Sequence, residues 1–194
     1  KVDGYNLCSD TQCQVYKDPS KSNQRIKTAI KKTAGKILTW DHQPINTVYH
    51  ATNGGVMASV DEAWSTKPVP YLQIRLDGPK TWSREVDLPL SNEKNLKSFL
   101  FSKSKAFGSD HHLFRWNRTL ESSQIFEQLK QAQKVSGSFS PKKIKTVSRG
   151  SSGRVTSLKI EGNSGLEILL KLDEIRRVLR QLPSTLFVVK EIKE

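Results

Sequence analysis

Apolar side chains recur every three or four residues in four segments of the chain, the spacing that places them on one face of an α-helix. The predicted helices cover residues 22–35, 92–101, 122–134 and 172–182. Ser22 has the residue type of an N-cap and Gly35 that of a helix stop, while Pro183 follows the last apolar position of the fourth segment. Four amphipathic helices are therefore expected.

Strand patterns separate these helices. Short runs rich in β-branched and aromatic residues predict strands at residues 36–40, 45–50, 71–76, 113–120, 145–148, 154–160, 165–170 and 186–192. Polar turns at residues 41–44 and 161–164 join neighbouring strands as hairpins, which favours antiparallel pairing. Because strands and helices do not alternate regularly, the pattern indicates an α+β fold of mixed, largely antiparallel sheets with interspersed helices.

One glycine pair interrupts this pattern. Gly54 and Gly55 follow Thr52 and Asn53, and glycine reaches backbone conformations that are closed to most residues. The segment is therefore either a tight turn or a place where a ligand approaches the backbone.

Charge and composition narrow the class of protein. The 194 residues include 32 Lys and Arg against 19 Asp and Glu, a net charge of +13, and eight basic residues but no acid lie between Glu127 and Glu161. Such a chain suits an anionic partner, a nucleic acid or a polyanionic cell wall, although a solvated basic face explains the charge as well. The aromatic content argues against disorder, and no run approaches the roughly 20 apolar residues of a membrane-spanning helix.

The sequence contains no strong catalytic or metal-binding motif among its acidic, histidine and serine residues. Asp61 and Glu62 form the only tight acidic pair of the first half, and adjacent residues point in different directions on a helix or a strand, so we expect surface positions for both. His42 and His50 stand alone and His111 adjoins His112, without the spacing of metal ligands on a helix. No serine lies in a nucleophile-elbow sequence.

The two cysteines leave two alternatives. Cys8 and Cys13 are separated by four residues and either close a small loop as a disulfide or supply two ligands of a zinc site. No histidine occurs within the first 41 residues, which favours the disulfide. A disulfide would imply an oxidising compartment.

Several motifs together resemble the SpoIID family, which comprises stage II sporulation protein D and amidase-enhancer (LytB-like) proteins. They are residues 10–16 (DTQCQVY), 33–39 (TAGKILT), 49–55 (YHATNGG), Trp64 and 70–72 (PYL), followed by Arg115-Trp116, 148–155 (SRGSSGRV), Arg176-Arg177 and 184–187 (STLF). This similarity implies one SpoIID-like domain over residues 1–194, with a sub-division into a glycan-cleft part at 1–135 and a C-terminal hairpin and helix part at 136–194.

The resemblance also implies a function. The best-understood members are peptidoglycan lytic transglycosylases, which cleave denuded glycan strands and leave 1,6-anhydro-muramic ends with one glutamate as acid and base. That glutamate precedes the cysteine motif in the family, and we expect no catalytic residue in this chain. Whether the chain is an enzyme therefore stays open. The alternative is a non-catalytic peptidoglycan-binding activator of a cell-wall amidase, and a weaker one is a basic nucleic-acid binder.

The remaining motif residues become candidate glycan binders, since amide, phenol and hydroxyl groups suit the hydroxyl and acetamido groups of sugars. These candidates are Gln14, Tyr16, Tyr49, His50, Thr52, Asn53, Gly54 and Gly55. Some members of the family resemble metal-bound proteins near this motif, with His and Cys ligands. In this chain Val2 stands where a His is expected and Gln12 precedes Cys13. The resemblance therefore implies no metal or cofactor, and a Cys8 to Cys13 disulfide. It further implies a place in the cell envelope, periplasmic or extracellular, with glycan strands and a cell-wall amidase as partners and without nucleic acid. We expect a monomer, the default for a single domain of this size, and no transmembrane segment in this chain.

Overall fold

The computed structural model describes residues 19–64, 66–137, 139–163 and 165–190. Internal contacts divide the chain into two units, Lys1–Val48 and Tyr49–Glu194. The functional sub-division at residues 135 and 136 stays a prediction.

The first unit contains one helix and one hairpin within its described part. A 3-10 turn at Pro19–Lys21 precedes helix α1 (Gln24–Thr33). The Asn23 side chain accepts a hydrogen bond from the Ile26 amide at 3.0 Å, so the helix begins one residue later than Ser22 predicted. Gly35 has a φ of +70° just after the helix, in agreement with the predicted stop.

The hairpin is shorter than predicted. Strands β1 (Thr39–Trp40) and β2 (Gln43–Pro44) pair antiparallel around Asp41 and His42, which have φ values of 49° and 58°. A two-residue turn with positive φ at both positions brings the immediately flanking residues into register. Residues 45–50 are consequently not a strand, and that prediction was wrong.

The second unit carries the remaining elements. In chain order they are β3 (Val56–Met57), α2 (Val60–Ala63), β4 (Arg75–Leu76), α3 (Lys80–Ser83), α4 (Glu93–Phe101), α5 (Ser122–Gln131), β5 (Pro141–Arg149), β6 (Val155–Gly162), β7 (Glu167–Lys171) and α6 (Glu174–Val178). Strands β3 and β4 pair antiparallel, and β5, β6 and β7 form an antiparallel meander in that order. The predicted α+β class with antiparallel sheets is confirmed.

The meander supplies one face of the first core. Alternate residues of β6 and β7, such as Leu158, Ile160 and Leu170, are almost completely buried, as the period of two in a strand requires. Ile125 and Leu129 of α5 and the apolar residues of α6 belong to the same cluster. Helices α5 and α6 therefore complete the core that the periodicity predicted.

A second core surrounds α3 and α4. It contains Val56, Trp82, Leu90, Leu96, Phe99, Ala106, Phe114 and Leu186. Asn92 caps α4 by accepting hydrogen bonds from the amides of Lys94 and Asn95 at 3.0 and 3.2 Å. The helix predicted at residues 92–101 is confirmed, and of the three residues expected inward Leu96 and Phe99 are buried while Leu100 is half-buried.

Three further strand predictions differ from the structure. Residues 113–120 and the described part of 186–192 contain no strand, and residues 71–76 contribute only β4. Phe114 and Leu186 are buried in the second core without a neighbouring strand to pair with. Their apolar pattern reflects packing of individual side chains, because β propensity mainly reports a fit to a half-buried surface.

The fourth helix is also shorter than its apolar pattern. Helix α6 ends at Val178, and Leu179 and Leu182, which follow it, are buried in the first core. The Leu182 amide donates to the Leu179 carbonyl at 3.1 Å within that segment. The predicted apolar face is thus present, but only its middle part is helical, since Leu172 precedes α6 and has a φ of +48°.

Candidate functional site

Residues 52–55 form a tight turn that its own side chains close. The Thr52 hydroxyl accepts from the Gly54 amide at 3.2 Å, and Asn53 Oδ1 accepts from the Gly55 amide at 2.8 Å. Gly54 and Gly55 have φ values of +69° and +92°, a region that favours glycine. Asn53 Nδ2 also donates to Asp77 Oδ2 at 2.7 Å, so the Asn53 side chain is fully engaged in holding the turn.

Arg115 holds the turn from one side. Its Nη1 donates to the Gly54 carbonyl at 2.9 Å, while Nη2 and Nε donate to carbonyl oxygens at the end of α4, those of Phe99 and Leu100. The guanidinium carbon lies 4.2 Å from the centroid of the Phe114 ring, a cation-π contact. Burial lowers the pKa of Arg115.

Arg154 holds the same turn through the preceding carbonyl. Its Nη2 donates to the Asn53 oxygen at 3.0 Å. Burial lowers the pKa of Arg154 to about 10, and the charge of the Glu62 carboxylate acts in the opposite direction. Arg154 is therefore still cationic at neutral pH, with Glu62 as the counter-charge.

Glu62 corrects the expectation that both acidic neighbours lie on the surface. Asp61 is exposed, whereas Glu62 is only 9% exposed and accepts hydrogen bonds from Ser152, from its amide at 3.1 Å and from its hydroxyl. A Cβ atom at Gly150 would collide with the Glu62 side chain. Successive residues diverge by about 100° on a helix, so α2 presents one carboxylate outward and one inward.

Sequence reasoning missed this buried carboxylate, because the sequence does not show that Arg154 is half-buried and needs a counter-charge. Arg154 lies in a basic stretch that contains no acid. A buried cation needs a counter-charge, and for Arg154 it had to come from a distant segment. The position of Arg154 in the sequence does not show which acid supplies this counter-charge.

The loop between β5 and β6 is the centre of this arrangement. Gly153 has a φ of +81°, and a Cβ there would lie 2.9 Å from Leu90 Cβ and from Leu96 Cδ1. The Leu90 amide donates to the Ser151 carbonyl at 2.9 Å. The segment 148–155 thus contacts α2, α4 and the turn at once, which brings together motifs that are far apart in the sequence.

The predicted binding residues divide by exposure. Tyr49 is 57% exposed and His50 is exposed, Thr52 is half-buried, and Asn53, Gly54 and Gly55 are buried. Tyr49 and His50 thus face solvent just before the turn, and the other four residues build the turn itself. Gln14, Tyr16, Cys8 and Cys13 lie outside the described residues. A ligand role for any of these residues stays a prediction.

The described part of the chain contains neither a cluster of metal ligands nor a membrane-spanning helix. Across residues 19–64, 66–137, 139–163 and 165–190, no three His, Cys, Asp or Glu side chains are grouped to hold a metal ion. Over these same ranges, no helix combines the length and apolar character needed to cross a membrane.

Two protein families match different parts of the chain. Residues 58–194, more than half of the chain, match the family model described as Domain of unknown function (DUF8618). The chain belongs to the DUF8618 family. Residues 1–40 match the model described as Stage II sporulation protein, SpoIID. The motifs from Trp64 onward therefore lie in the DUF8618 part, and the cysteine motif lies in the SpoIID part.

Individual relatives agree with the SpoIID resemblance. The chain is 32% identical over 80 residues to stage II sporulation protein D of Bacillus subtilis, covering 35% of this chain and 23% of that protein. It is 34% identical over 74 residues to the amidase enhancer of Bacillus subtilis, covering 38% of this chain and 10% of that protein. The match thus spans less than a quarter of either relative, and no solved structure matches. The resemblance to the SpoIID family is confirmed.

Proposed function

We propose that this DUF8618 chain is the glycan-binding part of a peptidoglycan-active protein of the SpoIID type, located in the bacterial cell envelope. The similarity to a sporulation protein and to an amidase enhancer supports a role at the cell wall. The net charge of +13 also suits an anionic wall polymer.

The observation that carries the proposal is the turn at residues 52–55. Two half-buried arginines donate to its carbonyl oxygens and Asp77 accepts from the Asn53 side chain, while Tyr49 and His50 just before it are exposed. A rigid backbone beside exposed aromatic and imidazole groups loses little entropy when a sugar binds. Phenol and imidazole groups offer both stacking surface and hydrogen bonds to hydroxyl and acetamido groups.

The binding experiment uses denuded glycan strands immobilised as a matrix. We expect the chain to be retained, and Tyr49→Ala or His50→Ala to weaken retention about tenfold, the loss of roughly one good contact. Phe107→Ala and His112→Ala are matched controls, because both side chains are exposed and lie outside the turn. Equal retention of all four variants would overturn the proposal.

In this proposal the glycan is cleaved by a lytic transglycosylase reaction whose acid comes from a segment other than residues 1–194. One carboxyl group protonates the glycosidic oxygen and then accepts the proton of the muramic 6-hydroxyl, so no water is consumed. Glu62 is not assigned this role, because it is buried and its Oε2 already accepts hydrogen bonds from the amide and the hydroxyl of Ser152. Digestion of denuded strands by the full-length protein, followed by mass analysis, is expected to give 1,6-anhydro ends.

A second candidate function is activation of a cell-wall amidase without cleavage by this chain. The 34% identity to a protein named amidase enhancer favours it. Addition of the chain to an amidase digesting intact peptidoglycan separates the two functions. Faster release of stem peptides without anhydro products would support activation, and anhydro products without faster release would support cleavage.

A further inference from the structure

Helix α1 presents an apolar face to solvent. Ile26 and Ile30 are 46% and 62% exposed, and no residue of the helix is buried. Successive residues of a helix are separated by about 100°, so Ala29 and Thr33 share this face and Thr28 lies on the opposite side. Thr28 is the one residue of α1 that is half-buried. The polar side of the helix is therefore the more covered one, and the apolar side is the more open one.

Cations flank this apolar face on both sides. With Ile26 as the reference, Arg25 and Lys32 lie about 100° and 120° round the helix in one direction. Lys27 and Lys31 lie about 100° and 140° round it in the other direction. All four are exposed, and residues 19–40 contain six Lys or Arg and no acid. The face is thus an apolar stripe between two rows of positive charge.

Exposed apolar side chains continue along the chain beyond the helix. Ile37 and Leu38 are 71% and 68% exposed, and Trp40 of the hairpin is 52% exposed. Tryptophan is enriched where apolar and aqueous phases meet, because its ring is apolar and its N–H is polar. Five large apolar side chains between residues 26 and 40 are therefore accessible to a binding partner.

The charge of the segment decides which partner fits. A second copy of the chain would bring a second set of six cations against the first, with no acid between residues 19 and 40 to pair with them. A wall polymer or a nucleic acid would neutralise the cations but leave the isoleucines in water. An anionic lipid surface satisfies both groups, since its headgroups attract the cations and its acyl boundary accepts the apolar side chains.

We propose that α1 binds the surface of an anionic lipid membrane. The helix lies in the plane of the surface, with Ile26 and Ile30 at the boundary between headgroups and acyl chains. The lysines and arginine on either side donate to the headgroup phosphates. Attachment of this kind is reversible and depends on the fraction of anionic lipid. It uses none of the residues to which the proposed function assigns glycan binding.

The first test is sedimentation of the chain with lipid vesicles at about 0.1 M salt, where charges more than about 10 Å apart are largely screened. One set of vesicles contains equal parts of phosphatidylglycerol and phosphatidylcholine, and the other contains phosphatidylcholine alone. We expect the chain to sediment with the anionic vesicles, and at least about tenfold weaker binding to the neutral ones. Equal binding to both, or no binding to the anionic vesicles, would overturn the proposal.

A pair of double variants tests the apolar stripe at constant charge. We expect Ile26→Ser, Ile30→Ser to weaken binding to anionic vesicles at least about tenfold, because two apolar side chains no longer leave water. Serine and isoleucine have similar helix propensities, and both positions are exposed, so α1 is expected to persist. Val147→Ser, Leu169→Ser is the matched control, since these residues are 56% and 46% exposed on the meander.

A second pair tests the position of the cations at constant net charge. Lys27→Gln, Lys31→Gln is expected to weaken binding to anionic vesicles about tenfold. Lys142→Gln, Lys143→Gln removes the same charge from exposed positions of β5 and is expected to have a much smaller effect.

The controls decide whether α1 itself is the binding surface. Equal binding by the α1 variants and their meander controls would show attraction by net charge alone and would overturn the proposal. Sedimentation of the chain with an anionic wall polymer, or its self-association, without vesicle binding would assign the face to one of the other occupants and would overturn it as well. Retention on glycan strands is measured separately, so failure of vesicle binding leaves the proposed function standing.

Discussion

At the scale of single residues, Gly55 illustrates how backbone and packing demand the same amino acid. Its φ of +92° disfavours any side chain, and an added Cβ would lie 2.9 Å from Ala106 Cβ and 3.3 Å from Phe114 Cζ. Gly108 has a φ of +67° but has no atom within 4 Å of an added Cβ. A comparison of substitutions at Gly55 and Gly108 therefore separates the cost of backbone strain from the cost of overpacking.

We expect Gly55→Ala to lower the free energy of unfolding by about 2–4 kcal/mol, because strain and a forced shift of the second core add. Gly108→Ala is expected to cost only about 1 kcal/mol, the backbone cost alone. Urea denaturation followed by tryptophan fluorescence measures both. Equal losses would show that the core around Gly55 accommodates the methyl group.

Glu62 supports a second prediction at this scale. Glu62→Gln keeps the shape but removes the charge beside Arg154 and disturbs the bonds from Ser152, so we expect a loss of about 1–3 kcal/mol. Asp61→Asn, at the exposed neighbour, is expected to change stability by less than about 0.5 kcal/mol. A thermal denaturation series that ranks Asp61→Asn as the more harmful change would refute the structural role of Glu62.

At the scale of elements, one ion pair joins the segment that follows α5 to the start of α6. Lys134 contacts Glu174, which also accepts a hydrogen bond from the Lys171 amide at 3.2 Å. Burial acts to raise the pKa of Glu174, but the bonds from Lys134 and Lys171 lower it on balance. A carboxyl group whose folded pKa is lowered stabilises the protein above its unfolded pKa, and this contribution is lost as the pH falls through the folded value.

We therefore expect Glu174→Gln to cost up to about 1 kcal/mol at pH 7, because the pair is partly screened by solvent. The difference from the native chain is expected to shrink below the ordinary glutamate pKa of 4.5 and to vanish once Glu174 itself is protonated. Glu127→Gln is the control, since Glu127 is exposed on α5 and forms no ion pair within the described part of the chain, so its loss is expected to leave the pH dependence unchanged. Denaturation at a series of pH values checks the expectation, and a pH-independent loss would contradict it.

The meander also shows how an edge strand is kept from pairing with a strand of another chain. Strand β5 is an edge strand that begins with Pro141, and its register with β6 shifts at three places. Proline and such irregularities remove or misalign the groups that another chain would pair with. The lysines at positions 142, 143 and 145 add exposed charge to the same strand.

At the scale of the whole molecule, the basic character is partly neutralised. On the meander, Lys145 and Lys159 lie 2.7 and 3.1 Å from Glu161, and Lys159 lies 2.8 Å from Glu167. Part of the basic run is thus paired by acids from β6 and β7, which reduces the field available to an extended polyanion.

We accordingly expect no specific DNA binding at about 150 mM salt, with only weak and steeply salt-dependent association at lower ionic strength. Fluorescence anisotropy with a labelled duplex measures this. Tight binding that persists at that salt concentration would revive the nucleic-acid alternative.

The sequence by itself determined the elements whose pattern is local. Helices α1, α4 and α5 and the β5 to β7 meander follow from apolar periodicity and caps, because period 3.6 or 2 is a property of neighbouring residues. The tertiary structure decided which side chains became buried. Glu62, Arg115 and Arg154 have ordinary surface residue types, and they are covered only where distant segments meet, as in the contact of Glu62 with Ser152, 90 residues further along the chain. Burial depends on what packs on top of a residue, and that information lies in distant parts of the chain.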